Sequence, residues 1–169
     1  DPKPVPGESE AGDAPEPCLA TVLCLPASDT ADELSATMLS QVLNLRRGRA
    51  KVLPAEKMAG ETLDLVEAEK ADVLVICTSP PSNLLRARYL YKRLRRRFGD
   101  IPIVEAVWGG GDLRTLEGRI SPDGKATLVL SLVEAEKAVG GLAREAALRN
   151  RLRRGHAESA LAEARQPEA

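Results

Sequence analysis

"LATVLCLPASDTADELSATM", residues 19–38, joins an apolar run to a helical pattern through a short polar corner, and the reading of that junction decides the fold. The run stops at Pro26 and the helical pattern begins at Thr30, with Asp32 and Glu33 in the first turn, where the positive end of a helix favours acids. In α/β proteins such a strand-to-helix corner is where ligands or phosphoryl groups are handled.

Four further apolar, partly β-branched runs follow: "AKVLP" from Ala50, "DVLVIC" from Asp72, "IPIVEAVW" from Ile101 and "ATLVLS" from Ala126. Runs without alternation are the mark of strands buried on both faces of a parallel sheet. Helical patterns lie between them, over Ala31 to Arg46, Gly60 to Lys70, Ser82 to Phe98, and Ser131 to about Arg154. Strand and helix alternate, so the expectation is a three-layer, doubly wound α/β domain with five parallel strands in the order 2-1-3-4-5. In the first helix the spacing predicts a core face of Leu34, Met38, Val42 and Leu45, with Gly48 just past the end as a C-cap. The Gly-rich stretch "GGGDLRTLEGRISPDGKA", between the last two strands, holds either a short helix or a long loop.

The 169 residues divide into an acidic, Pro-rich linker (1–17), the α/β domain (18–142) and a helix-prone tail (143–169) that Gly155 would interrupt, its last fifteen residues fraying. A chain beginning at Asp1 with such a linker reads as a piece of a longer protein. No stretch reaches the ~20 apolar residues of a membrane span, so the piece itself reads as soluble. Three cysteines without a Cys-x-x-Cys pair form neither a disulfide framework nor a zinc site. The single histidine, His156, lies in the polar tail, so metal and histidine-base chemistry lack their usual carriers.

Ligand-handling loops in this architecture follow the strands. They supply Ser28, Asp29 and Thr30 after the first strand, Thr78 and Ser79 after the third, and Trp108, Gly109, Gly110, Gly111 and Asp112 after the fourth as a candidate crevice. A phosphoreceiver requires an Asp where the third strand ends, and this one ends in Cys77, Thr78 and Ser79. Neither a dinucleotide fingerprint nor a P-loop fits "LPASDTADEL", which has no glycine. Cys77 lacks a partner base, and the position six residues on, where a low-molecular-weight phosphatase loop needs Arg, is Asn83; Cys24 and Cys77 read as small core residues of neighbouring strands. Asp29, Asp32 and Glu33 read as helix-start acids, and the expectation is no metal, no cofactor and no catalytic residue.

"SNLLRARYLYKRLRRRF" is the most unusual helix. Leu84, Ala87, Tyr91, Leu94 and Phe98 make a core face, while Arg86, Arg88, Lys92, Arg93, Arg95, Arg96 and Arg97 supply seven cations with no acid. The whole chain carries −1, which leaves −8 for the rest of it. Such a stripe is either a solvated face or a surface for an anionic membrane or an acidic protein; 2% aromatic residues argue against nucleic acid.

Three segments together carry a resemblance: "VLCLPASDTADELSATMLSQVL", "ADVLVICTSPP" and "RARYLYKRLRRRFGDIPIVEAVWGG". Over Leu19 to Gly140 the chain resembles the cytoplasmic C-terminal domain of some bacterial permeases of the autoinducer-2 exporter family. It also looks like a degenerate cobalamin-binding domain of flavodoxin-like fold, whose pattern is Asp-x-His-x-x-Gly after strand one, Ser-x-Leu after strand three and Gly-Gly after strand four. Asp29 holds the Asp position; Ala31 replaces the cobalt-ligating histidine and Leu34 replaces the glycine, while Ser79 and Gly109-Gly110 fall near the expected spacings. The resemblance implies a non-enzymatic sensory or interaction domain at the cytoplasmic side of an inner-membrane transporter, with the membrane-embedded part as partner. A small-molecule-binding regulator and an enzyme using Asp29 or Cys77 are the alternatives.

Overall fold

The computed structural model describes residues 20–46, 48–55, 59–80 and 83–164; the linker expected over residues 1–17 lies outside them. Ten elements alternate along the chain: β1 (Thr21–Pro26), α1 (Thr30–Leu45), β2 (Arg49–Val52), α2 (Ala59–Ala68), β3 (Val73–Thr78), α3 (Leu84–Arg97), β4 (Ile103–Val107), α4 (Leu113–Ile120), β5 (Thr127–Val129) and α5 (Leu132–Ala164). The strands form one sheet in the order β2-β1-β3-β4-β5, and every neighbouring pair is parallel. This is the flavodoxin-like arrangement expected from the sequence, with the switch point between β1 and β3.

Each central strand feeds both faces of the sheet because successive side chains point to opposite sides. Val22 and Cys24 of β1, with Val73, Val75 and Cys77 of β3, pack under α1 and α5. Leu23 and Leu25, with Leu74 and Ile76, pack under α2, α3 and α4. The second layer is sealed by Leu84, Ala87, Leu90, Tyr91 and Leu94, so the core face expected for α3 is found, with Phe98 half-buried at its end. The stretch after β4 resolves into a short helix, α4, capped by Asp112, whose Oδ2 accepts from the Thr115 N–H at 2.9 Å.

Two sequence expectations are overturned. The buried face of α1 consists of Asp32, Ala36, Leu39, Ser40 and Leu43, whereas Leu34, Met38 and Leu45 are 62%, 52% and 83% exposed. The period was right and the phase wrong. A count of bulky apolar residues favours the leucine-methionine row, but Ala36 and Ser40 let the helix lie close to the sheet with Leu39 and Leu43 in the core beside them, and Leu34, Met38 and Leu45 turn outward. Leu34 therefore does not project into the interior of the corner. Gly155, in turn, does not interrupt the last helix, because α5 runs unbroken through it to Ala164. A glycine in a helix interior costs only about 1 kcal/mol relative to alanine, which good helix formers on both sides offset.

Residue 142, where the sequence divides domain from tail, lies inside α5. Ala143, Ala146 and Ala147 are core residues, and Asn150 still donates to Asp72 Oδ1 at 3.1 Å. Arg151 to Ala162 are all exposed; Arg153 and Arg154 still line a cleft with Thr21, Arg49 and Asp72, and the part of α5 beyond them projects from the domain. Among the described residues no helix is long and apolar enough to cross a membrane. Gly48 is required by close approach, since a Cβ there would meet the Leu43 carbonyl oxygen at 2.7 Å.

Candidate functional site

The corner after β1 is built by three acids, the N-cap Asp29 and the first-turn Asp32 and Glu33 of α1, which tie the helix start to the loops after β2 and β3. Asp29 is the N-cap: its Oδ1 accepts from the Ala31 N–H at 3.0 Å and the Asp32 N–H at 3.1 Å. Its other oxygen accepts from Asn83 Nδ2 at 2.9 Å. Asp32, fully buried, accepts from the Ser79 N–H at 2.7 Å through Oδ1 and from Asn83 Nδ2 at 3.0 Å through Oδ2. Glu33 Oε2 accepts from the Ala55 N–H at 3.1 Å, so the loop after β2 is tied to the same helical turn.

Asn83 stands at the start of α3 but makes no side-chain cap to its own helix. Its amide instead spends both protons on two carboxylates, bridging the loops that flank the switch point. The two acids respond in opposite directions. The Asn83 amide, helped by the two backbone N–H groups, holds Asp29 below the ordinary carboxylate range. Burial raises Asp32, reinforced by the negative charge of Asp29 and opposed by the Ser79 N–H and the Asn83 amide.

The expected crevice residues divide among three places. Asp29 and Ser79 enter the polar tie, although Ser79 does so by its backbone. Thr30 is exposed on the outer side of the corner. Ser28 lines a small cleft of about 150 Å³ with Pro54, Ala55, Arg86 and Tyr89. Thr78 is fully buried at the end of β3, its hydroxyl without a hydrogen-bond partner among the described residues. Trp108, half-buried, forms an apolar dent of about 200 Å³ with Ser35, Met38 and Leu132 on the α1–α5 side. Gly109, Gly110 and Gly111 follow at φ of +104°, +81° and +145°, a left-handed run that only glycine adopts without strain. Asp112 is turned to Thr115 of its own helix, whose hydroxyl and N–H hold its carboxyl below the usual range.

Sequence reasoning named Asp29 and missed Asp32 and Asn83 as partners. The signal available in the sequence is the pair Asp29 and Asp32 together with an amide at the start of α3; without the fold the two acids read as ordinary helix-start charge.

Cys24 and Cys77 are both fully buried on adjacent strands. Burial pushes the Cys24 thiol up to about 12 and raises Cys77 as well, so neither holds a thiolate at neutral pH. Among the described residues no group of three or more His, Cys, Asp or Glu side chains could hold a metal ion.

The basic helix is not one uniform stripe. On the α4 flank, Arg95 donates to the Gly99, Ile101 and Lys125 carbonyls at 3.0, 3.2 and 3.1 Å and stacks over Tyr91, while Arg88 reaches the Arg119 carbonyl. On the α2 flank, Arg97 pairs with Asp64 at 3.0 Å and with Glu67. Arg93 donates to the Tyr89 hydroxyl at 3.0 Å and lies over its ring. Arg86, Lys92 and Arg96 are exposed.

Among solved structures, the chain is similar to a cobalamin-binding protein from Desulfitobacterium hafniense, with a TM-score of 0.59 at 9% identity over 73% of this chain and 58% of that one. It is also similar to a signal receiver domain from Vibrio parahaemolyticus, with a TM-score of 0.53 at 12% identity over 79% of this chain and 96% of that one. Likeness at such identities establishes the fold. The chain thus spans well under two thirds of the length of the first protein. No family model matches the chain, and no curated protein matches it significantly.

Proposed function

We propose that this chain is a non-enzymatic sensory or interaction domain carried on the cytoplasmic side of a bacterial membrane transporter, built on a ligand-binding scaffold whose corner is held shut by its own side chains. The observation that carries the closed-corner part of this reading is the Asp29–Asn83–Asp32 tie. It joins the loops after β1 and β3 at the position where flavodoxin-like domains receive ligands. That a protein of similar fold is described as cobalamin-binding supports a ligand-binding scaffold. Ala31, standing where the resembling pattern has a cobalt-ligating histidine, has no donor atom to offer.

The non-enzymatic reading is supported by the two carboxylates being committed to hydrogen bonds and by both buried thiols being held protonated. A small-molecule-binding regulator is the second reading, favoured by the cleft beside Ser28, Arg86 and Tyr89.

The transporter setting rests on the sequence resemblance, and fractionation tests it. An antibody raised against this chain should detect, in cells of the source organism, a longer polypeptide in the membrane fraction. A band of this chain's own size in the soluble fraction contradicts the setting. A thermal-shift screen separates the two readings of the domain, because a ligand that binds only the folded state raises the melting temperature by mass action.

A further inference from the structure

The structure assigns the α2–α3 groove as a docking site for an acidic peptide segment, an inference that deepens the interaction role proposed above. A groove of about 650 Å³ runs along the α2 flank of α3, with Leu63 in its floor and Tyr89, Lys92, Arg93, Arg96 and Arg97 along its wall. At its upper end Tyr89 is shared with the smaller cleft, which adds Arg86. The positions 86, 89, 93 and 96 recur at three and four, so one helical face carries the whole strip. At 1.5 Å per residue the fourteen residues of α3 span roughly 20 Å, the length of about six extended residues.

Charge complementarity selects the occupant. The Arg97 charge is answered locally by Asp64 and Glu67 of α2. Arg93 is held against the Tyr89 ring and hydroxyl, and lines the same groove. Arg86, Lys92 and Arg96 have no ion pair or hydrogen bond among the described residues. The strip thus offers three cations without a partner among the described residues and one, Arg93, held in place, with one aromatic ring, 55% exposed, between them.

A flat anionic bilayer does not enter a groove between two helices, and it would meet Asp64 and Glu67 on the α2 wall as like charges. Single-stranded nucleic acid needs successive stacking platforms, and Tyr89 is the one aromatic ring lining the groove. A peptide places its carboxylates at intervals, so it can meet Arg86, Lys92, Arg93 and Arg96 while passing the acids of α2 with neutral residues.

The test uses the full chain and a fluorescein-labelled peptide of about twelve residues, glutamate alternating with serine, followed by fluorescence anisotropy at low and at physiological salt. Binding is expected, weaker at the higher salt because exposed charges are screened over about 8–10 Å. The triple variant Lys92→Gln/Arg93→Gln/Arg96→Gln is expected to lose at least about tenfold in affinity. An equal charge removal on the α4 side, Arg114→Gln/Arg119→Gln/Lys125→Gln, should lose less than about threefold, as long-range attraction alone is worth little. Melting curves confirm that both variants remain folded. Absence of peptide binding, or equal loss in the two triple variants, overturns the proposal. So does tighter binding to phosphatidylserine-containing vesicles or to single-stranded oligothymidylate than to the peptide. Either result leaves the closed corner untouched, because corner and groove share no variant residue.

Discussion

Asn83 Nδ2 donates to Asp32 Oδ2 at 3.0 Å across 51 positions of sequence, and the same nitrogen reaches Asp29 Oδ2 at 2.9 Å. One side chain thereby locks the first turn of α1 to the start of α3. Asn83→Ala leaves the buried Asp32 carboxyl short of a partner and should cost about 2 kcal/mol. Asn83→Asp should cost more, since it sets a third carboxyl against the pair. Urea unfolding of the two variants beside the parent measures the order, and a stability of Asn83→Asp equal to the parent contradicts it.

Glu105 lies fully buried in β4, and neither of its oxygens has a hydrogen-bond partner among the described residues. Burial holds its carboxyl protonated well above the usual range. A raised folded pKa means that its contribution is fully present below the unfolded value of about 4.3 and is lost as pH rises toward the folded one. Glu105→Gln removes that loss. The stability of Glu105→Gln relative to the parent should therefore climb as pH rises above about 4.3. Comparing the two chains cancels the other shifted groups: Asp32, which acts in the same direction, and Asp29, Asp112 and Asp123, which act oppositely. Parallel stability curves from pH 4 to 8 contradict this assignment.

Read from the sequence, Arg95, Arg96 and Arg97 are equivalent surface charges. In the fold they are not. Arg95→Gln removes three carbonyl contacts and the stacking on Tyr91, and should destabilise by about 1–2 kcal/mol. Arg96→Gln, exposed and unpaired among the described residues, should stay within about 0.5 kcal/mol of the parent. Thermal unfolding of the two single variants distinguishes them, and equal midpoints contradict the division into flanks.

Cys24 and Cys77 should resist alkylation by iodoacetamide in native buffer at pH 8 and react once the chain is unfolded in guanidinium. Reactivity follows thiolate fraction and access, and burial denies them both. Peptide mapping by mass spectrometry gives the answer for each residue. Rapid native labelling of Cys77 would revive the nucleophile reading.

The strand order and the core face of α3 were legible because apolar runs and a period of 3.6 speak directly to burial. The face of α1 was misread because Ala36 and Ser40 carry little apolar weight in a sequence, yet their small size is what brings the helix against the sheet. The projecting part of α5 was read as breaking at Gly155, since local propensity marks glycine without measuring how strongly its neighbours hold the helix. Asp29 was legible as a corner acid, but its partner Asn83 was not. Nothing local joins residues 54 positions apart until β1 and β3 lie side by side.

A corner after β1 that is tied by its own side chains and offers no cobalt ligand should leave a corrinoid unbound. Mixing the full chain with hydroxocobalamin, and recording both co-elution on gel filtration and the visible spectrum, tests it most directly. The corrinoid should elute separately with its free spectrum, because Ala31 offers no donor and the oxygens of Ser28, Asp29 and Thr30 are poor ligands for a nitrogen-preferring cobalt centre. Co-elution with a histidine-coordinated spectrum would contradict it, and would make His156, the chain's one histidine, the ligand.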